Sequence, residues 1–119
     1  MRYVDGFVLP VLKKNLPAYA RMARMGAKMW REYGALEYRE CVGEDLDVKY
    51  GVSFPKQLKI KPGETVVFSW IVYKSKAQRD RIVAKVMKDP RLAEFTDPKA
   101  MPFDCKRMAC GGFKVLVEA

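Results

Sequence analysis

Histidine is absent from all 119 residues, and that absence removes a large part of enzyme chemistry. Ser–His and Cys–His nucleophile pairs, the ordinary haem ligand and the commonest general base all go with it. Cysteine is scarce too. Cys41, Cys105 and Cys110 are an odd number with no CxxC spacing, so neither a disulfide framework nor a four-ligand zinc site is expected, and no metal or other cofactor. No apolar run approaches the ~18 residues of a membrane span. The apolar opening, residues 1–12, is broken by Asp5 and followed by Lys13 and Lys14. A secretory signal has the reverse order, so the opening reads as a strand in a cytoplasmic protein. Repeats and low-complexity stretches are also missing.

What is present suits one domain over residues 1–119. Half the residues are hydrophobic, enough for a compact core at this length. The formal charge is +9, which favours weak attraction to nucleic acid, anionic lipid or anionic metabolites. The charges are dispersed rather than blocked, as on a solvated surface.

Residues 3–9 are rich in strand formers and Pro10 closes them. A helix follows, with Asn15 as its cap, Pro17 in its first turn and Gly34 at its end. Leu16, Tyr19, Ala20, Ala23, Ala27, Trp30 and Tyr33 fall on its apolar stripe, flanked by Met22, Met25 and Met29. In residues 35–42, Leu36, Tyr38 and Val42 alternate with Glu37, Arg39 and Cys41, and Glu40 stands on the apolar side. A long polar connection, 43–64, contains an extended arm over 52–60 that either packs on something or moves. Thr65–Tyr73 is the strongest strand. Val66, Phe68, Trp70 and Val72 share one face; Val67, Ser69, Ile71 and Tyr73 share the other. Ser75 and Gln78 cap a second helix whose buried side is Ala77, Ile82, Val83, Val86 and Met87, and Asp89-Pro90 stops it. One helical turn is expected near 92–95, and a last strand over 112–118.

The order strand, helix, strand, strand, helix, strand gives an α+β, ferredoxin-like fold: a four-stranded antiparallel sheet with both helices on one face. Two helices cover one face only, yet the central strand is apolar on both. A second copy packed sheet to sheet, forming a dimeric α/β barrel, would cover the other.

The segments Phe68-Ser-Trp-Ile-Val-Tyr-Lys-Ser75, Lys85-Val-Met-Lys-Asp-Pro-Arg-Leu92, Met101-Pro-Phe-Asp-Cys-Lys-Arg-Met108 and Gly111-Gly-Phe113 resemble a family of uncharacterised bacterial proteins, the YbaA-like family. Tyr3-Val-Asp-Gly-Phe-Val8 and Gly34-Ala-Leu-Glu-Tyr-Arg-Glu-Cys-Val-Gly43 fit it too. The resemblance spans nearly the whole chain and implies a dimeric α/β-barrel domain of unknown function. That superfamily includes cofactor-independent monooxygenases, isomerases, stress proteins and haem-degrading enzymes; the last fit worst, since no histidine is available for iron. Carrying any of these activities over would be fold-level analogy.

Asp5, inside an apolar strand, is either a general base or an ion-pair partner of Arg39, Lys114 or a second subunit. Tyr38, Glu40, Phe68 and Trp70 are the candidate walls of a small-molecule pocket. Asp104 and Arg107, in a loop stiffened by Pro102, form a candidate clamp for an anion or else a structural pair. Cys105, beside Lys106 and Arg107, is the candidate reactive thiol. The expected partners are a second copy and a small organic ligand, with turnover, if any, as a cofactor-free oxygenase or isomerase. The alternatives are binding of RNA or DNA through the basic helices, where Arg21, Arg24, Lys28 and Arg31 recur on the first and Lys76, Arg79, Arg81, Lys85 and Lys88 on the second, or a stress-related dimer without catalysis.

Overall fold

The computed structural model describes residues 1–95, 97 and 101–119, with Phe95 described by its backbone. Four strands, β1 (Tyr3–Leu12), β2 (Glu37–Val42), β3 (Glu64–Tyr73) and β4 (Ala109–Lys114), form one sheet in the order β2-β3-β1-β4. Every neighbouring pair is antiparallel. Helices α1 (Leu16–Glu32) and α3 (Lys76–Lys88) are the two crossovers, and two shorter helices, α2 (Phe54–Leu58) and α4 (Leu92–Phe95), sit in the connections. This is the expected ferredoxin-like α+β arrangement.

Local chemistry accounts for the boundaries. Gly34 takes φ +112°, a conformation costly for residues with a Cβ, and turns the chain out of α1. The Ser75 hydroxyl accepts from the Gln78 N–H at 3.1 Å, and the Gln78 side chain accepts from the Lys74 N–H at 2.6 Å, so α3 begins in a reciprocal cap. Asn15, expected to cap α1, makes no such bond. Its amide donates instead to the Pro102 carbonyl at 3.4 Å, tying the 101–108 segment to the start of the helix.

Three element boundaries differ from expectation. β1 continues through Pro10 to Leu12, because the β4 ladder ends at Val8–Ala109 and a missing N–H is tolerated on an unpaired side. β4 lies at 109–114 rather than 112–118, leaving Leu116 and Val117 unpaired and more than four-fifths exposed. The arm expected to be extended holds α2, capped by Ser53, and its Phe54 meets Phe68 edge-on at 6.1 Å.

Alternation along β3 sets the layers. Val67, Ser69, Ile71 and Tyr73 face the helices and are buried. Phe68, Trp70 and Val72 face away and are exposed or half-buried. On the helix side the core forms two clusters, one around Met29, Ile71, Tyr73, Ile82 and Val86, the other around Leu9, Val11, Tyr19, Ala23 and Val67. Ala77 and Met87, both expected on the buried side of α3, are exposed, while Arg79 is half-buried.

Ile82 is 2% exposed at the centre of the first cluster. Ile82→Ala should therefore lower the unfolding free energy by about 2–5 kcal/mol. Lys85→Ala, on the solvent side of the same helix, should stay within about 0.5 kcal/mol. Urea titrations of both variants check the contrast.

Candidate functional site

Between the two core clusters the sheet and helices enclose a cleft of about 560 Å³, within the range of about 300–1,000 Å³ typical of small-ligand sites. Its floor comes from alternate residues of adjacent strands. One row runs Gly112, Asp5, Ile71, Tyr38 and the next Cys110, Phe7, Ser69, Glu40. The side of α1 contributes Tyr19, Met22, Ala23, Gly26 and Trp30; α3 contributes Arg79, Val83 and Met87; the 101–108 segment contributes Met101, Phe103, Cys105 and Met108. The wall is overwhelmingly apolar, with methionine and aromatic rings prominent.

Two hydrogen-bonded clusters interrupt it. In the first, the Glu40 carboxylate accepts from Tyr19 at Oε1, 2.8 Å, and from Tyr38 at Oε2, 2.9 Å. Each phenol leans on a further ring: Tyr19 on Phe103, centroids 5.7 Å apart, and Tyr38 on Trp30 at 6.3 Å. Gly26 permits this approach, since a Cβ there would stand 3.1 Å from the Tyr38 hydroxyl. In the second cluster, Trp30 donates to the Tyr73 hydroxyl at 3.1 Å, which donates to Asp5 Oδ2 at 2.9 Å. Arg79 Nε reaches Asp5 Oδ1 at 3.1 Å, Nη1 reaches Asp80 at 2.8 Å, and Nη2 reaches the Tyr3 hydroxyl at 3.2 Å. A Cβ on Gly112 would collide with both Arg79 and Tyr3, so any larger residue there would displace these two side chains.

Burial and then the neighbouring negative charge raise all three phenols well above their ordinary range: Tyr19 and Tyr38 through Glu40, Tyr73 through Asp5. They stay protonated and act as donors. At Arg79 burial opposes the charge, but Asp5, Tyr3 and Asp80 outweigh it and the guanidinium is held above its usual value.

Several candidate residues are brought together and others are separated. Asp5, Tyr38, Glu40 and Cys105 all line the cleft. Phe68 and Trp70 stand on the opposite face of the sheet, where their rings meet at 5.7 Å and Trp70 donates to Glu37 at 3.2 Å; they are no part of this wall. Neither expected protein partner of Asp5, Arg39 or Lys114, is the observed one, because Arg79 reaches down from α3. Asp104 and Arg107 form no open anion clamp. Asp104 caps the short 105–107 turn, and Arg107 grips Glu64 through two nitrogens at 2.6 and 3.0 Å, which pins the 101–108 segment over the cleft. Arg79 also leaves the basic surface stripe to which its helix position assigns it. The sequence held a signal for this: Arg79 lies three, four and seven residues before Ile82, Val83 and Val86, on the buried stripe of α3. Tyr19, Trp30 and Tyr73 were legible as core aromatics, but their convergence on two carboxylates depends on strand register.

Residues 2–105 match the sequence profile of DUF1428, described as a protein of unknown function. The chain is 43% identical over 118 residues, 99% of each sequence, to the uncharacterized protein YbaA of Escherichia coli K12 and, to the same extent, to YbaA of Shigella flexneri. Among solved structures it is similar to an uncharacterized NIPSNAP domain protein from Burkholderia xenovorans (TM-score 0.60, 19% identity, 98% of this chain and 94% of that one). It is also similar to a dimeric ferredoxin-like protein from an uncultured marine organism (TM-score 0.58, 12% identity, both chains covered in full). At such identities the structural likeness speaks to fold.

The raised phenols make stability pH-dependent on the alkaline side. Unfolded tyrosines ionise near about 10, whereas Tyr19, Tyr38 and Tyr73 keep their protons in the fold, so the unfolded state binds fewer protons and stability falls as pH climbs past about 10. Urea midpoints measured from neutral to strongly alkaline pH should show this decline, and Tyr38→Phe should reduce its slope.

Proposed function

The chain belongs to the DUF1428 family of proteins of unknown function, and from that premise we propose that it is a homodimeric protein that binds a small, largely apolar organic molecule in the cleft between the sheet and helices α1 and α3. The observation that carries this reading is the cleft itself: about 560 Å³ with apolar walls and two polar clusters converging on it. A void of that kind is costly to leave in a core, since each lost contact weakens packing. Any turnover in the cleft would be a cofactor-free oxygenation or isomerisation, with Glu40 and Asp5 as the carboxylates that line it. These two are separated by two strand spacings and one same-face step, roughly 12 Å between backbones. They could address opposite ends of one ligand and cannot share a proton.

Dimerisation is supported by the uncovered face of the sheet. Phe68 is 42% exposed and Phe113 63%, with Trp70 beside them. Strand spacing and rise give that face roughly 500 Å², short of the roughly 800 Å² per partner of a stable interface. The apolar residues Leu116 and Val117, beyond β4, and α2 would supply the difference. The marine relative described as dimeric is consistent with this.

Two measurements test the proposal. Thermal melts against a panel of aromatic and alicyclic metabolites should find stabilising compounds, and Ala23→Leu, which fills the cleft, should abolish their effect while the protein remains folded. Sedimentation at micromolar concentration should give a particle of twice 13.7 kDa, reduced to one chain by Phe113→Glu. A wild-type monomer would sink the dimer.

A further inference from the structure

Among the described residues the cleft contains three charged groups: Asp5, Glu40 and Arg79. The guanidinium is fully committed, to Asp5, Asp80 and the Tyr3 hydroxyl, and it also lies over the Tyr3 ring, 4.9 Å from its centroid. An anionic ligand would have to displace one of these partners. Glu40 is in the opposite condition. Both its oxygens accept from phenols, and among the described residues no cation pairs with it. Neutral donors orient a carboxylate but leave its charge uncompensated, and burying an unpaired charge is unfavourable.

The surroundings of Glu40 are equally particular. Each of its two phenols meets a further ring, Tyr19 edge-on with Phe103 and Tyr38 tilted against Trp30, so four aromatic rings gather on the side of the cleft that holds this carboxylate. Aromatic faces attract cations through their quadrupoles, and rings combined with a carboxylate are the usual chemistry of organic ammonium recognition. Ser69, buried beside Glu40 on the floor, has a hydroxyl that can accept from the same group.

We propose that the ligand is a lipophilic amine whose ammonium nitrogen rests on the Glu40 carboxylate among these rings, its hydrocarbon part lying along Met22 and Met108. This rests on the reading of the cleft as a ligand site and names the chemistry of its occupant. Arg79 with Asp5 forms a neutral pole at the other end and sets no charge requirement there.

A matched trio of probes tests it: 4-phenylbutylamine, 4-phenylbutanol and 4-phenylbutyrate, titrated calorimetrically into the full chain near neutral pH. The amine should bind about tenfold or more tighter than the alcohol, as a charged hydrogen bond gained in a partly buried site implies, with the carboxylate weakest. Glu40→Gln, which keeps the shape and removes the charge, should erase the amine's advantage and bring amine and alcohol to comparable affinity. Equal affinities for amine and alcohol, or preference for the butyrate, would overturn the ammonium assignment and leave the cleft reading standing. Failure of all three, together with the metabolite panel, would remove the cleft reading itself. Should Glu40→Gln not fold, the wild-type ranking decides alone.

Discussion

β3 is paired along both of its edges, so its backbone is satisfied and its stability turns on what covers its two faces. Both faces are apolar, and a helix-covered sheet supplies only one cover. The Val67, Ser69, Ile71 and Tyr73 side is covered by α1 and α3 and buried. On the other side Phe54 of α2 meets Phe68 edge-on, while Phe68 stays exposed and Trp70 and Val72 half-buried. This asymmetry divides the molecule into a helix-covered side that holds the cleft and an open side. The aromatic residues sort between the two faces: the tyrosines bonded to Glu40 and Asp5 are on the helix side, while Phe68, Phe113 and Trp70, which donates to Glu37, are on the other.

On the helix side, the core splits into two clusters, and the cleft is lined by residues of both. Tyrosines supply its hydrogen bonds. Tyr19 and Tyr38 use their hydroxyls on Glu40, and Tyr73 uses its hydroxyl on Asp5, so carboxylates sit within an apolar wall without being orphaned. Such a network is rigid only while every member is satisfied. Glycine at 26 and at 112 gives these side chains their room. The 101–108 segment forms the remaining wall. It is anchored at both ends, by Asn15 on the Pro102 carbonyl and by the forked Arg107–Glu64 pair. Arg107 holds the Glu64 carboxyl below its usual range, chiefly by hydrogen bonding, a fixed structural contact and not an open anion site.

Polarity then follows from position. The basic residues Arg21, Arg24, Lys28 and Arg31 on α1 are exposed, as are Lys76, Arg81, Lys85 and Lys88 on α3. Arg79 alone of this set turns inward to neutralise Asp5. The cleft is thus left with Glu40 as its one carboxylate without a cation among the described residues, inside a protein whose overall charge is strongly positive. Surface charge and site charge have opposite signs, because the first is set by solvation and the second by which side chains the helix period turns toward the sheet.

The amino-acid order by itself determined the element sequence, the antiparallel ferredoxin-like sheet, the two-faced β3 and the side of β2 on which Glu40 stands, because alternation, helical period, caps and breakers are local. It also contained Arg79's inward position in the spacing to Ile82, Val83 and Val86. Only the tertiary structure decided that Asp5 pairs with Arg79, that Tyr19 joins Tyr38 at Glu40, and that the cleft lies across the sheet from Phe68 and Trp70. The Tyr19–Glu40 and Asp5–Arg79 contacts join residues 21 and 74 positions apart, and such pairings are set by strand register and helix docking, which no local pattern encodes.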